Sequence, residues 1–71
     1  MKNSLFVDNC IKIERVKNGI TQEELARQVG TSQTTISAIE KGTWAPTVKL
    51  ALILSAYFDK PVNDLFWLSK D

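Results

Sequence analysis

Histidine is absent from this chain, cysteine occurs once, and there are only three glycines and two prolines in 71 residues. Without histidine the chain lacks the side chain most often used as a general base or metal ligand near neutral pH. Cys10 has no base beside it in sequence; alone, it cannot build a disulfide framework, and it fits a reducing compartment. No metal-ligand spacing occurs, nor any glycine-rich loop that could cradle a phosphate. Catalysis, a cofactor and a small-molecule ligand are therefore not expected. The richest apolar run, "LALILSAYF", has roughly half the length a bilayer crossing needs. The opening "MKNSLFVDNC" breaks a short apolar run with Asp8 and does not read as a signal peptide. The expectation is a cytoplasmic protein with no membrane partner. Charge is scarce too: the net value of +1 says little by itself about a polyanionic partner.

The 44% of hydrophobic residues suits a folded globule. The length holds one domain over residues 1–71 and leaves no room for a separate effector or sensor domain. A core of this size is marginal, and pairing with a second copy is a common supplement.

Each glycine falls where a helix is expected to stop. Gly19 follows "IKIERVKN", Gly30 follows "QEELARQV" and Gly42 follows "TTISAIEK". Glycine enters the left-handed conformation just past a helix end without steric cost. A first helix is expected over about residues 8–18, with Ile11 and Val16 inward and Ile13 and Glu14 fitting the pattern poorly. A second opens at "ITQEEL": Thr21 caps it, Glu24 reaches back as a capping box, and Ile20 and Leu25 close a hydrophobic staple. Its inward stripe is Leu25, Ala26 and Val29. The third begins after Ser32, a capping residue, and ends at Lys41 or Gly42. The fourth follows Pro46 and Thr47 and runs to about Phe58, with Val48, Ala51, Leu54 and Phe58 toward the core. Pro61 suits the first turn of a short fifth helix, "PVNDLF". The end segments "SLFV" and "WLSKD" alternate loosely and could pair as two short strands. The fold class is thus all-α: a compact five-helix domain, with that β pairing as an addition.

The second and third helices are joined by only Gly30, Thr31 and Ser32, which forces a steep crossing at Ala26. Over about residues 21–41 this is a helix-turn-helix. Its second helix, "QTTISAIEK", carries only Ile36 and Ile39 at core spacing, while Gln33, Thr34, Ser37 and Ala38 share the opposite face. So polar a surface suits burial against something polar. "TQEELARQVGTSQTTISAIEKG" resembles the helix-turn-helix of the phage repressor/Cro family, also called the XRE family. The likeness runs on through "PTVKLA" and "PVNDLF", from about residue 11 to 66, and rests on Gln22, Leu25, Ala26, Val29, Gly30, Ile36, Ile39 and Glu40. It is most similar to the small single-domain regulators, including the cytolysin-operon repressor type, which dimerise and carry short terminal strands.

That resemblance implies a partner, double-stranded DNA, and a role for each position. Base-edge contacts fall to Gln33, Thr34, Ser37 and Ala38, since the start of the recognition helix enters the major groove. A glutamine amide can bond adenine bidentately, and the Thr34 methyl suits thymine. Phosphate contacts fall to Gln22, at the dipole-positive start of the second helix, and to Ser32, Lys41, Thr43 and Trp44. Trp44 has an equal claim as a lid on the core. From Lys12 to Lys49 the bases are Lys12, Arg15, Lys17, Arg27, Lys41 and Lys49, against Glu14, Glu23, Glu24 and Glu40. If Glu40 is neutralised inside the fold, one face becomes locally positive. Relatives pair the positions of Arg15 and Glu40 in a structural ion bridge, which the resemblance carries over to this chain.

The fourth helix is apolar on a second side, through Leu50, Ile53 and Tyr57, and the C-terminal Phe66, Trp67 and Leu68 add to it. Such surface must be covered. A homodimer through these residues is the economical reading, which makes the chain a homodimeric repressor occupying a near-palindromic operator. The alternative is a protein-interaction or antitoxin-like module that uses the same apolar surface.

Overall fold

In the computed structural model, which describes residues 5–70, five helices lie between two short strands that meet at the ends of the chain. The order is β1 (Leu5–Asn9), α1 (Ile11–Lys17), α2 (Gln22–Val29), α3 (Gln33–Lys41), α4 (Val48–Phe58), α5 (Val62–Leu65) and β2 (Phe66–Lys70). β1 and β2 form an antiparallel ribbon with Val7 opposite Leu68 and Asn9 opposite Phe66. The expected end pairing therefore exists, although Ser4 and Asp71, quoted with those segments, lie outside the described residues.

Every helix contributes to one core. Ile11 from α1, Leu25 from α2, Ile36 and Ile39 from α3, Leu54 from α4 and Leu65 from α5 are fully buried. Each such side chain contributes about 1.5–3 kcal/mol of transfer free energy. Ala26 and Val29 complete the expected stripe on α2, and Ile20 packs on the core beside them.

Three of the helices begin at side-chain caps, two of them, Thr21 and Ser32, predicted from the sequence. The hydroxyls of Thr21, Ser32 and Thr47 accept the backbone N–H groups of Glu24, Thr35 and Leu50. The capping box at α2 is only half made: Glu24 turns its carboxylate away from the Thr21 backbone and toward Arg27 and Gln28. Gly30 and Gly42 end α2 and α3 in the left-handed region, each with φ of 78°. α4 stops in the same conformation without glycine, at Asp59 with φ of 57°, a geometry that aspartate tolerates better than most residues. Pro61 sits one place earlier than expected, at the N-cap of α5.

α1 departs most from the periodicity. It begins at Ile11 because Asp8 and Asn9 are drawn into the ribbon, and Asn9 marks the junction. The Asn9 carboxamide accepts the Ile11 N–H at 3.0 Å and donates to the Ile39 carbonyl at 2.8 Å, tying the ribbon to the end of α3. Val16, expected inward, is 59% exposed, whereas Glu14 is buried at 7%. The inward side of α1 beyond Ile11 is a charged seam: the Glu14 carboxylate meets Lys60 at 3.2 Å and Lys17 at 3.6 Å. Ion pairing there displaces the apolar pattern and leaves Ile13 and Val16 facing out.

α4 needs a similar correction. Leu50 points into the chain's own core along with Leu54 and Phe58, and Phe66 is buried there as well. Leu50 and Phe66, which the sequence places on a subunit interface, thus belong to the core. Val48, expected in the core, is 78% exposed and shares the outer side with Leu52. The helix is rotated so that the stripe through Leu50, Leu54 and Phe58 fills the space left by α2 and α5.

Candidate nucleic-acid interface

α3 owes its position to two anchors. Ile36 and Ile39 seat it on the core, and Arg15 from α1 holds it by the Glu40 side chain. Arg15 Nε donates to Glu40 Oε2 at 2.7 Å and Nη2 donates to Oε1 at 3.3 Å. Arg15 Nη1 donates to the Ile20 carbonyl at 2.8 Å, so the same guanidinium also fixes the loop ahead of α2. The Glu40 side chain is only 3% exposed. Its charge is consumed inside the fold, and Lys41 stays exposed beside it with no ion-pair partner among the described residues.

With those anchors inward, Gln33 and Thr34 are exposed, and Ser37 and Ala38 are half-buried. They share a shallow open concavity of about 340 Å³ with Gln22, Lys41 and Thr43. Four residues expected at base edges and three expected at phosphates thus line one continuous surface. A concavity this open and mixed in polarity is suited to a large polar surface more than to an engulfed small molecule.

Local chemistry limits what several of these groups can do. Gln22, the first residue of α2, donates its side-chain N–H to Glu40 Oε1 at 3.0 Å, which leaves one N–H and the amide oxygen for a ligand. That link was not anticipated from sequence; a glutamine three residues before the inward Leu25 carries no signal for a buried partner eighteen positions away. Thr43 is held against the end of α3, its N–H and hydroxyl both donating to the Ala38 carbonyl. The Ser32 hydroxyl is already engaged: it accepts the Thr35 N–H and donates to Thr35 Oγ1. Ser32 and Trp44 do not line the concavity. Trp44 is 45% exposed, so it does not serve as a lid on the core. It borders a second depression of about 250 Å³ with Thr31, Thr35, Thr47, Lys49 and Ile53.

A short turn opened by Gly30 between two helices packed on each other, with a polar outer face on the second, defines a helix-turn-helix protein. The helix-turn-helix family profile matches residues 11–65. The chain belongs to the XRE-type family of helix-turn-helix transcriptional regulators, a class of DNA-binding proteins and not of enzymes. It is 40% identical over 63 residues to an HTH-type transcriptional regulator of Methanocaldococcus jannaschii, covering 89% of this chain and 96% of that one. YgzD of Bacillus subtilis, also described as an HTH-type transcriptional regulator, is 38% identical with the same coverage of both chains. A further HTH-type regulator, from Archaeoglobus fulgidus, is 44% identical over 52 residues, 73% of this chain and 74% of its own length. Among the described residues no helix is long and apolar enough to cross a membrane.

Proposed function

We propose that this chain is a homodimeric repressor that reads a near-palindromic operator by laying α3 in the major groove. The observation that carries the reading is the division of α3 itself: Ile36 and Ile39 are at most 1% exposed while Gln33 and Thr34 face solvent. In this reading Gln33, Thr34, Ser37 and Ala38 meet base edges. Gln22, Lys41 and Thr43, with Ser32 and Trp44 toward the rim, meet the backbone on either side. Ser32 would then contribute mainly by its place at the helix start, because its hydroxyl already caps α3. The site of action is the cytoplasm, where the operator is.

Dimerisation would cover apolar surface that the single chain leaves open. Tyr57, Trp67 and Leu68 are exposed and Ile53 is half-buried. Leu50 and Phe66 belong to the core, so they would support this surface from behind. A two-fold pair would set the two recognition helices about 34 Å apart, one turn of DNA. The antiparallel pairing of the terminal strands supports a likeness to the small cytolysin-operon repressor type. The competing reading, an antitoxin-like interaction module, draws on the same apolar surface of α4 and the C-terminal segment, to which the exposed Val48 and Leu52 add.

Selection of bound duplexes from a random pool tests the proposal. A repressor of this kind enriches two half-sites in inverted orientation, and its affinity falls steeply with salt in proportion to the phosphates neutralised. Weak binding of every duplex, with no enriched sequence, would favour the interaction module. Sedimentation equilibrium without DNA checks the pairing, for which a dimer is expected.

A further inference from the structure

Glu40 has more donors on it than an ion pair requires. Its Oε2 takes the Arg15 Nε–H, and its Oε1 takes both an Arg15 Nη2–H and the Gln22 Nε2–H. These bonds join α1, the first residue of α2 and the last turn of α3 through one side chain that is 3% exposed. We propose that Glu40 is a positioning residue for DNA recognition: its buried carboxylate, aligned by Arg15, fixes the Gln22 carboxamide so that one free N–H is presented to a DNA phosphate. This rests on the reading of Gln22 as a backbone contact.

The physical reason is the sign of the charge. A free glutamine amide can turn over, exchanging its oxygen and nitrogen at little cost. Against a carboxylate it cannot, because an oxygen facing Oε1 would be repelled while an N–H is attracted with the strength of a charge-assisted bond. Gln22 is therefore held with its nitrogen toward Glu40. A donor held in place before DNA arrives loses less conformational freedom on binding than a free one does. Arg15 is required because without it the carboxylate is free to reorient, even though Arg15 itself is not needed at the phosphate. Gln22 also borders the concavity that holds Gln33, Thr34, Ser37 and Lys41, so its fixed amide belongs to the same surface as the base-reading residues.

A double-mutant cycle on the selected duplex tests this, read as affinity by fluorescence anisotropy. Gln22→Ala should weaken binding about three- to tenfold, as expected for one hydrogen bond. Glu40→Gln keeps the shape, removes the charge that orients the amide, and should weaken binding to a similar degree. In the double variant the losses should not multiply, because both changes remove the same contact. Losses that multiply would mean that Glu40 acts on DNA only through the tilt of α3, and the inference would fall. Thermal stability does not discriminate, since Glu40→Gln lowers it in either background.

If Gln22→Ala leaves affinity unchanged while Gln33→Ala lowers it, this inference fails and the operator reading stands. If the unaltered chain binds no duplex selectively, the operator reading itself fails. Should Glu40→Gln not fold, NMR of the unaltered chain decides: the Gln22 side-chain amide should exchange with solvent several-fold more slowly than that of exposed Gln33. Equal exchange would overturn the proposal.

Discussion

Replacing Arg15 with methionine keeps much of the aliphatic volume and removes three hydrogen bonds at once. Two run to Glu40, at 2.7 and 3.3 Å, and the third, at 2.8 Å, to the Ile20 carbonyl. The Glu40 side chain is 3% exposed, so water cannot take the vacated positions unless the seam between α1 and α3 opens. What remains on the carboxylate is one neutral donor, from Gln22. Breaking a buried pair from one side costs about 3–5 kcal/mol, because the surviving charge keeps its desolvation penalty and loses its compensation. At about 0.05–0.15 kcal/mol per residue, a domain of this size has roughly 4–10 kcal/mol in all. Arg15→Met should therefore remove at least about a third of the folding free energy, and lower Tm by at least about 12 °C on the usual scaling for small domains.

Urea unfolding followed by far-UV circular dichroism measures the loss, with protein concentration held fixed because self-association would move the midpoint. A second variant, Arg15→Met with Glu40→Leu, replaces both charges with apolar groups and should be more stable than Arg15→Met alone. A single-variant loss below about 1 kcal/mol would place the pair among solvated surface bridges and refute the reasoning. A double variant no better than the single one would do the same.

Gln33→Ala should cost about 1–3 kcal/mol on the selected duplex and relax discrimination at one base position; equal losses on specific and random duplexes would reduce Gln33 to a backbone contact. Gly30→Ala should destabilise by about 1–2 kcal/mol in chemical denaturation, purely through the positive φ, because a Cβ there meets nothing within 4 Å. Ala26→Leu should cost about 1–3 kcal/mol by overpacking the crossing of α2 and α3, and a neutral result would mean that the crossing is loose. Burial, and then the Glu14 carboxylate, push the Cys10 thiol above its ordinary value. The thiol's contribution to stability is complete below the ordinary thiol pKa and is lost as pH rises through the elevated one. Thiol labelling at mildly alkaline pH should accordingly be slower in the native chain than in the denatured one, and equal rates would refute the burial argument.

The helix-turn-helix was legible because its signals are local. Thr21 and Ser32 cap within three residues, Gly30 and Gly42 stop the chain within one, and Ile36 with Ile39 fall at the spacing that seats a helix. Where the neighbours of a helix decide its facing, local signals failed. α1 turns Glu14 and Arg15 inward because Lys60 and Glu40, distant in sequence, are there to meet them. Leu50 and Val48 exchanged roles on α4 because an apolar helix has no polar face from which its rotation can be read.

By itself the amino-acid order determined where α2, α3 and α4 start and stop, which glycines turn left-handed, and which short helix is too polar to be core. Each of these is set by bonds and sterics within a few residues. Only the tertiary structure decided that Gln22 joins the Arg15–Glu40 pair, that Asn9 ties the terminal ribbon to α3, and that Leu50 and Phe66 face inward. Such choices depend on electrostatic and packing partners that the chain brings close only by folding.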